Sequence, residues 1–165
     1  YYEINEGIGV HKSPELYGAF PTDPYSHTPF GKGAQQPGMT GQVKEDILSR
    51  IGELGVFVKD GQLVFNPSML RKTEFLTQAK DFEYYDVKGK AQTLQLSNNN
   101  LAFTYCQVPK DYHLTDKVGI DVMMSKGDSI SSDNLEIDKE ISNQIFNREN
   151  KVKALRVMIT EHICV

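Results

Sequence analysis

The chain has 165 residues, of which 39% are hydrophobic and 24% are charged. This balance is typical of a folded globular protein and excludes a disordered chain. The net charge of -4 gives no electrostatic reason to expect a nucleic acid or an anionic membrane as a partner. No apolar run is long enough to cross a bilayer.

The first 39 residues are rich in proline and glycine and contain five of the seven prolines. Proline removes a backbone donor and glycine permits positive φ, so neither favours long regular elements. Aromatic side chains that can anchor a loop are spaced through the segment: Tyr17, Phe20, Tyr25 and Phe30. We therefore predict a long ordered loop of the kind that forms a binding or active site. A loop that only packs on its neighbour is the alternative.

One amphipathic helix follows this loop. Thr40 is a suitable N-cap, and an apolar stripe of four side chains recurs at helical spacing. The stripe consists of Val43, Ile47, Ile51 and Leu54. Gly55 stands where a helix commonly ends in the left-handed conformation. On this pattern Glu53 is a solvated helix charge, and Gly52 permits a close contact with another element.

From Val56 onward the apolar period changes to two, and turn signals such as Asp60-Gly61 recur every eight to twelve residues. This spacing predicts a mainly β fold, an antiparallel, jelly-roll-like β-sandwich. A polar segment, 133–142, is predicted as a short helix or a loop. The strands are predicted at 56–58, 63–65, 82–87, 91–96, 101–108, 118–124, 144–146 and 153–159. The predicted domains are 1–55, with the loop and the helix, and 56–165, the sandwich.

The loop before the helix holds the best candidate site. Its aromatic, amide, carboxylate and imidazole groups are the set that carbohydrate sites use for sugar rings and hydroxyls, and the helix N-terminus adds unpaired N–H groups. The predicted substrate-binding residues are Asp23, Tyr25, His27, Gln36 and Thr40. A purely structural His27 and a simple N-cap at Thr40 are the alternatives.

Scattered histidines and two cysteines give no metal-type spacing, so we predict no metal and no cofactor. Cys106 and Cys164 both stand in apolar, strand-like sequence. We interpret them as buried thiols that behave as small hydrophobic side chains.

A family resemblance rests on the run Thr40-Gly41-Gln42, the helix to Leu54-Gly55-Val56, and Leu63-Val64-Phe65-Asn66-Pro67 before a β region. This layout resembles the C-terminal end of six-hairpin, (α/α)6-barrel glycosidases and glycoside phosphorylases. Pro37 to Glu45 and Phe103 to Pro109 also look like large bacterial glycosidase-like proteins. The resemblance implies that the helix completes a helical barrel, that residues before Gly38 line its mouth, and that Thr40 lies near the substrate.

Phosphorylases of this type tend to have Ser after Thr-Gly, where this chain has Gln42. This departure from the phosphorylase pattern favours glycoside hydrolysis or no catalysis over phosphorolysis, and the resemblance implies that the loop 11–42 contributes to a sugar site. Most barrel helices and the usual acid are missing, so we expect this chain, which opens at Tyr1, to be the C-terminal part of a larger protein and catalytically incomplete alone. The remainder of the barrel, or another chain, would cover the apolar stripe.

The sequence does not indicate a compartment, and we expect a soluble protein that is periplasmic or secreted. The alternative function is a non-catalytic β-sandwich module that binds carbohydrate or protein through exposed aromatics such as Tyr84, Tyr85 and Tyr105. Because neighbouring residues in a strand point to opposite faces, only one of Tyr84 and Tyr85 can face a ligand.

Overall fold

The structure is a computed structural model that describes the backbone of residues 40–163 and the side chains of residues 47–162. By the clustering of internal contacts, the chain divides into residues 1–50 and 51–165. The second unit carries nearly all of the described residues. Whether residues 1–55 belong to a helical barrel stays a prediction.

The described elements follow one another in a mainly β order. They are α1 (Thr40–Glu53), β1 (Val56–Lys59), β2 (Gln62–Phe65), β3 (Lys80–Tyr85), β4 (Ala91–Leu96), β5 (Asn100–Tyr105), β6 (Val108–Leu114), β7 (Gly119–Met124), β8 (Ser129–Ser132), α2 (Lys139–Phe146) and β9 (Val152–Ile159). Single 3-10 turns lie at Lys72–Glu74 and Glu161–Ile163. In the described part of the chain, neither helix has the length and apolar character needed to span a membrane.

The predicted helix and its glycine stop are confirmed. Gly55 has φ +65°, and its N–H donates to the carbonyl of Gly52 at 3.0 Å. Asn66 N–H donates to the carbonyl of Gly55 at 2.7 Å, so two backbone segments meet there. A Cβ on Gly55 would lie 2.0 Å from the Asn66 carbonyl oxygen. Only glycine combines this backbone conformation with so close an approach.

The apolar stripe of α1 is covered unevenly. Leu54 is buried in the core of the β region and Ile51 packs against that core, whereas Ile47 is 53% exposed. Val43 lies outside the described side chains. Two predictions on this helix are wrong: Glu53 is only 1% exposed, and a Cβ on Gly52 would meet nothing within 4 Å.

Five strands form one sheet in the order β5-β6-β9-β7-β8. The pairs are antiparallel except β6 and β9, which run parallel from Lys110↔Leu155 to Leu114↔Ile159. The mainly β class is therefore confirmed, while the antiparallel expectation is wrong at this pair. This pair is parallel because the chain passes from β6 through β7, β8 and α2 before it reaches β9, so no hairpin joins the two strands. The jelly-roll-like sandwich stays a prediction.

Two further hairpins stand beside the large sheet, β1–β2 and β3–β4. Both were predicted from their turn residues. Asp60 and Gly61 have φ +51° and +78°, the two positive values that a tight hairpin turn requires. Gly89 has φ +71° in the second turn.

One predicted strand, 101–108, is in fact a hairpin. Cys106 and Gln107 have φ +52° and +61° and form the turn between β5 and β6. Cys106 is half-buried in that turn and is not a strand residue. Two non-glycine residues with positive φ are uncommon, so the sequence carries no recognisable signal for this turn.

The predicted strand at 144–146 is wrong, because these residues form the last turn of α2. Asp138 caps this helix by accepting a hydrogen bond from Ile141 N–H at 2.9 Å. Ile141 and Ile145 are spaced by four residues and are both buried. A short apolar run fits a strand or a buried helix equally well, and here the N-cap decides.

Tyr112 on β6 lies at the centre of the core and is completely buried. Its ring makes an edge contact with Phe65 at 5.9 Å between centroids and a tilted contact with Phe103 at 5.3 Å. Its hydroxyl donates to the carbonyl of Leu54, one of the orphan acceptors beyond the end of α1. One side chain thus joins the aromatic core of the sheet to the end of the helix.

We expect Gly55→Ala to destabilise the protein by about 3 kcal/mol or more, because the change combines left-handed strain with a backbone clash. Gly52→Ala is the matched control, since it lies in the same helix with open space around it. That change should stabilise by about 1 kcal/mol through helix propensity. Chemical denaturation of the two variants measures both shifts, and equal midpoints would contradict the close approach at Gly55.

Candidate functional site

Four of the predicted site residues, Asp23, Tyr25, His27 and Gln36, lie outside the described residues. Thr40 is the first residue of α1, and its side chain is also outside the described set. The sugar site in the loop therefore stays a prediction. Among the described side chains, the main cluster of polar groups lies on the five-stranded sheet.

The strand register aligns one row of side chains across all five strands on a single face of the sheet. The row is Ala102, Asp111, Arg156, Asp121 and Ser131. The opposite face carries the core, including Tyr112, Val157 and Ile120 in one row. Because alternation puts every second residue on the polar face, charged residues distant in sequence become neighbours.

Asp111 is the buried centre of this polar face. Its Oδ1 accepts a hydrogen bond from Asn100 Nδ2 at 2.5 Å, and its Oδ2 accepts one from Arg156 Nε at 3.0 Å. Asn100 and Asp111 are both buried, while Arg156 reaches solvent. Each carboxylate oxygen therefore has a partner, as a buried acid requires.

The same asparagine fixes the orientation of His113. His113 Nδ1 lies 2.6 Å from Asn100 Oδ1, and Ser97 Oγ donates to that oxygen at 3.1 Å. Since Asn100 Nδ2 donates to Asp111, Oδ1 is the acceptor, and Nδ1 of His113 carries the hydrogen. The Ser97 hydroxyl points to the amide and not to the imidazole. The group is therefore not the nucleophile–base pair of a serine hydrolase.

Ser97 also lines an open pocket of about 530 Å³, where β3 begins and β4 ends. The other lining residues are Ala79, Lys80, Asp81, Gln95 and Leu96. A carboxylate, an ammonium, an amide and a hydroxyl meet there within one small volume. This set can hydrogen-bond a polar ligand in several directions, which favours binding over covalent catalysis.

The adjacent tyrosines Tyr84 and Tyr85 lie on opposite faces of the hairpin, as strand alternation predicts. Tyr84 is half-buried and its ring stacks on Phe82 at 6.0 Å with an interplanar angle of 15°. Tyr85 is 68% exposed. Tyr105 is half-buried, with the Lys110 ammonium 5.7 Å from its ring centroid.

Lys110 is the unusual charge of the core, because it is fully buried. Its Nζ donates to the carbonyls of Tyr105 at 2.9 Å and Val108 at 3.0 Å, the two residues that flank the Cys106–Gln107 turn. Burial lowers the pKa of Lys110 to about 7, against a smaller opposing effect of nearby Cys106. The geometry holds the amine against the turn, inside the sheet, and away from solvent.

Among the side chains of residues 47–162, no three His, Cys, Asp or Glu residues are close enough together to hold a metal ion. No protein-family model matches the chain, and no curated protein is significantly similar to it.

Sequence reasoning missed Ser97, Asn100, Asp111 and His113 as a group. Asn100 is the last of three consecutive asparagines, a run that predicts a turn. Asp111 lies in a strand that is hard to predict, because Pro109 and Lys110 are uncommon in strands. No local motif joins these residues. The only usable signal is the strand register, which pairs Asn100 with His113.

We expect the free energy of unfolding to rise between pH 7 and pH 10. Unfolded Lys110 keeps its proton up to its ordinary pKa of 10.5, whereas the folded state releases it near 7, so the unfolded state binds more protons in that window. The rise should reach about 4 kcal/mol at most. Above pH 10 the slope should reverse, because burial raises the pKa of Tyr112 and its unfolded form ionises first.

Lys110→Met keeps an unbranched side chain that is one atom shorter and removes the titrating group. Denaturant titrations at pH 7, 8 and 9 should therefore show the rise in the natural protein and a flat profile in this variant. A rise of equal size in both proteins would show that Lys110 is not its source.

Asn100→Ala should destabilise the protein by about 2–3 kcal/mol, because it leaves a buried carboxylate oxygen and a histidine N–H without their partner. Ser131→Ala is the control, since it removes an exposed hydrogen bond to Asp121 on the same face. Its cost should stay below about 1 kcal/mol. Thermal unfolding compares the two, and equal losses would argue against the buried network as the stabilising part of this face.

Proposed function

We propose that this chain is the C-terminal part of a bacterial carbohydrate-active protein that hydrolyses glycosides. In this proposal the loop 11–42 contributes Asp23, Tyr25, His27, Gln36 and Thr40 to a sugar site. The β region is a jelly-roll-like supporting domain, and the protein is soluble and either periplasmic or secreted.

The observation that carries the proposal is the order of elements around the end of α1. The helix ends at Glu53, Gly55 takes the left-handed conformation, and a strand starts at Val56. A second strand then leads through Phe65 into Asn66-Pro67 and the main β region. This order agrees with the layout on which the resemblance to (α/α)6-barrel glycosidases rests.

The exposure of α1 supports a partner for its apolar stripe. Ile47 is more than half exposed, although it shares a face with Ile51 and Leu54. Leu54 is already covered by the core of this chain. We therefore propose that the remainder of the barrel, or another chain, covers the stripe from Val43 to Ile51.

The acids of the sheet support a non-catalytic role for the β region. Retaining and inverting glycosidases need two carboxyl groups free to face each other across the substrate. Asp111 has both oxygens hydrogen-bonded, and Asp121 accepts a hydrogen bond from Ser131 at 2.7 Å. Arg156 lies between them in the row. In the proposal, the acid and its partner therefore come from outside the sheet.

A non-catalytic module that binds carbohydrate or protein is the second candidate. The observation that favours it is Tyr85, an exposed aromatic ring on a hairpin whose neighbouring side chains are polar. The full length of the natural gene separates the two candidates. A gene that encodes only this chain would remove the barrel and favour the module.

In the whole protein, we expect Thr40→Ala to lower the affinity for oligosaccharide and the rate of glycoside hydrolysis by about tenfold, from the loss of one hydroxyl contact. Thr40→Ser is the matched control, because it keeps the hydroxyl that the proposed contact needs. Calorimetry and reducing-sugar release measure the two effects. Equal sugar affinity in the natural protein and the alanine variant would count against Thr40 as part of the site.

A further inference from the structure

We propose that the outward face of the β3–β4 hairpin is a second carbohydrate-binding surface, which takes an extended, uncharged oligosaccharide. The surface consists of Asp81, Glu83, Tyr85, Thr93 and Gln95. It rests on the carbohydrate activity proposed above and is separate from the loop 11–42.

The hairpin is fixed at its tip. Asp86 Oδ1 accepts hydrogen bonds from the N–H groups of Lys88 at 2.9 Å and Lys90 at 3.0 Å, and Asp86 Oδ2 accepts one from Gln92 Nε2 at 3.0 Å. Gln107 Nε2 donates to the Asp86 carbonyl at 3.2 Å, which ties the tip to the β5–β6 turn. The turn therefore cannot move freely against the sheet.

The hairpin is also fixed at its base. Leu76 exchanges backbone hydrogen bonds with Asn99 at 2.7 Å and Asn100 at 2.9 Å, just before and at the start of β5. Ser97, one residue after β4, donates to the buried Asn100 side chain. An isolated two-stranded hairpin is only marginally stable in water, so these ties and the inner face must hold it.

The inner face of the hairpin decides which side chains point outward. Phe82 and Tyr84 stack on each other, and Leu94 and Leu96 lie opposite Phe82 and Lys80 in the register. The exposure of the side chains alternates along both strands. The inner side chains are half-buried or buried, except that of Lys80, which is exposed at the start of β3. The five residues of the proposed surface have the opposite parity and are all exposed.

These outward side chains form a straight track. Asp81 pairs with Gln95, Glu83 with Thr93, and Tyr85 with Ala91. From Asp81 to Tyr85 the track extends about 13 Å along the strand. The small side chain of Ala91 leaves the ring of Tyr85 open, and the pocket of about 530 Å³ lies at the other end, beside Asp81 and Gln95.

The chemistry of the track favours a polyhydroxylated ligand. Among the described residues, Asp81, Glu83, Thr93 and Gln95 make no hydrogen bond through their side chains, so carboxylate, hydroxyl and amide groups remain available. The open ring of Tyr85 offers an apolar face with a polar tip. Carboxylates accept hydrogen bonds from sugar hydroxyls, and the amide can donate and accept.

The charge of the hairpin favours a neutral ligand over a charged one. Residues 80–96 carry Lys80, Lys88 and Lys90 against Asp81, Glu83 and Asp86, so the charges balance. A polyanion would meet the two carboxylates of the track, and a basic peptide would meet Lys88 and Lys90 in the exposed turn next to Tyr85. An uncharged oligosaccharide meets neither repulsion.

The test is calorimetric titration of the whole protein with neutral hexasaccharides of glucose, xylose and mannose. Tyr85→Ala should weaken binding of the hexasaccharide that binds best by about tenfold, and Tyr85→Phe should stay within about twofold of the natural protein. Phe57→Ala is the matched control, because Phe57 is an exposed aromatic on the other small hairpin. It should leave the affinity unchanged.

The outcomes separate this inference from the proposed function. Thr40→Ala should lower hydrolysis while binding at the hairpin persists, and Tyr85→Ala should lower the affinity for hexasaccharides more than that for disaccharides. If Thr40→Ala leaves hydrolysis unchanged while Tyr85→Ala still weakens hexasaccharide binding, only the loop site is overturned. Three outcomes would overturn the hairpin surface. Tyr85→Ala could bind the hexasaccharide as well as the natural protein does, the protein could bind no hexasaccharide, or it could bind oligolysine instead in a way that depends on Tyr85.

Discussion

The parallel pairing of β6 with β9 is the constraint on which the rest of the sheet depends. β9 is the last of the described strands and lies between β6 and β7, so its hydrogen bonds join two hairpins that have no direct contact in the strand order. Parallel neighbours need a crossover connection, and here β7, β8 and α2 supply it. The register of β9 then brings Tyr112, Val157 and Ile120 into one row of the core. A shift of β9 by one residue would exchange its apolar face for its polar one.

That register also builds the polar face, since Arg156 lies between Asp111 and Asp121 only because β9 pairs with both β6 and β7. The guanidinium is thereby placed beside a buried carboxylate whose other oxygen is already bound by Asn100. A buried acid is tolerable when both of its oxygens have partners, and here the two neighbouring strands β5 and β9 supply one partner each. Lys110 is the converse case: it faces the core, and two turn carbonyls satisfy it while burial shifts its pKa towards the neutral form.

The parts of the fold that could be predicted are those with a local cause. Gly55 ends α1 because its positive φ is needed there, and Asp60-Gly61 marks the first hairpin by the same chemistry. The parts that could not be predicted depend on distant residues. β6 contains Pro109, Lys110 and Asp111, which are rare in a central strand and are accommodated here by the hairpin turn, the carbonyls and Arg156. The polar cluster around Asp111 follows the same rule, because Asn100 and His113 meet only through the pairing of β5 with β6.

The two small hairpins differ in what they do with their outer faces, and this difference bears on function. β1–β2 lies next to α1 in sequence, supplies Val56, Leu63 and Phe65 to the core, and leaves Phe57 and Val58 exposed. β3–β4 is held by its tip and base and turns a regular set of polar side chains and one tyrosine outward. A surface that is ordered before it meets a ligand loses little conformational entropy on binding. The order of the β3–β4 hairpin is therefore what the proposed carbohydrate-binding surface requires.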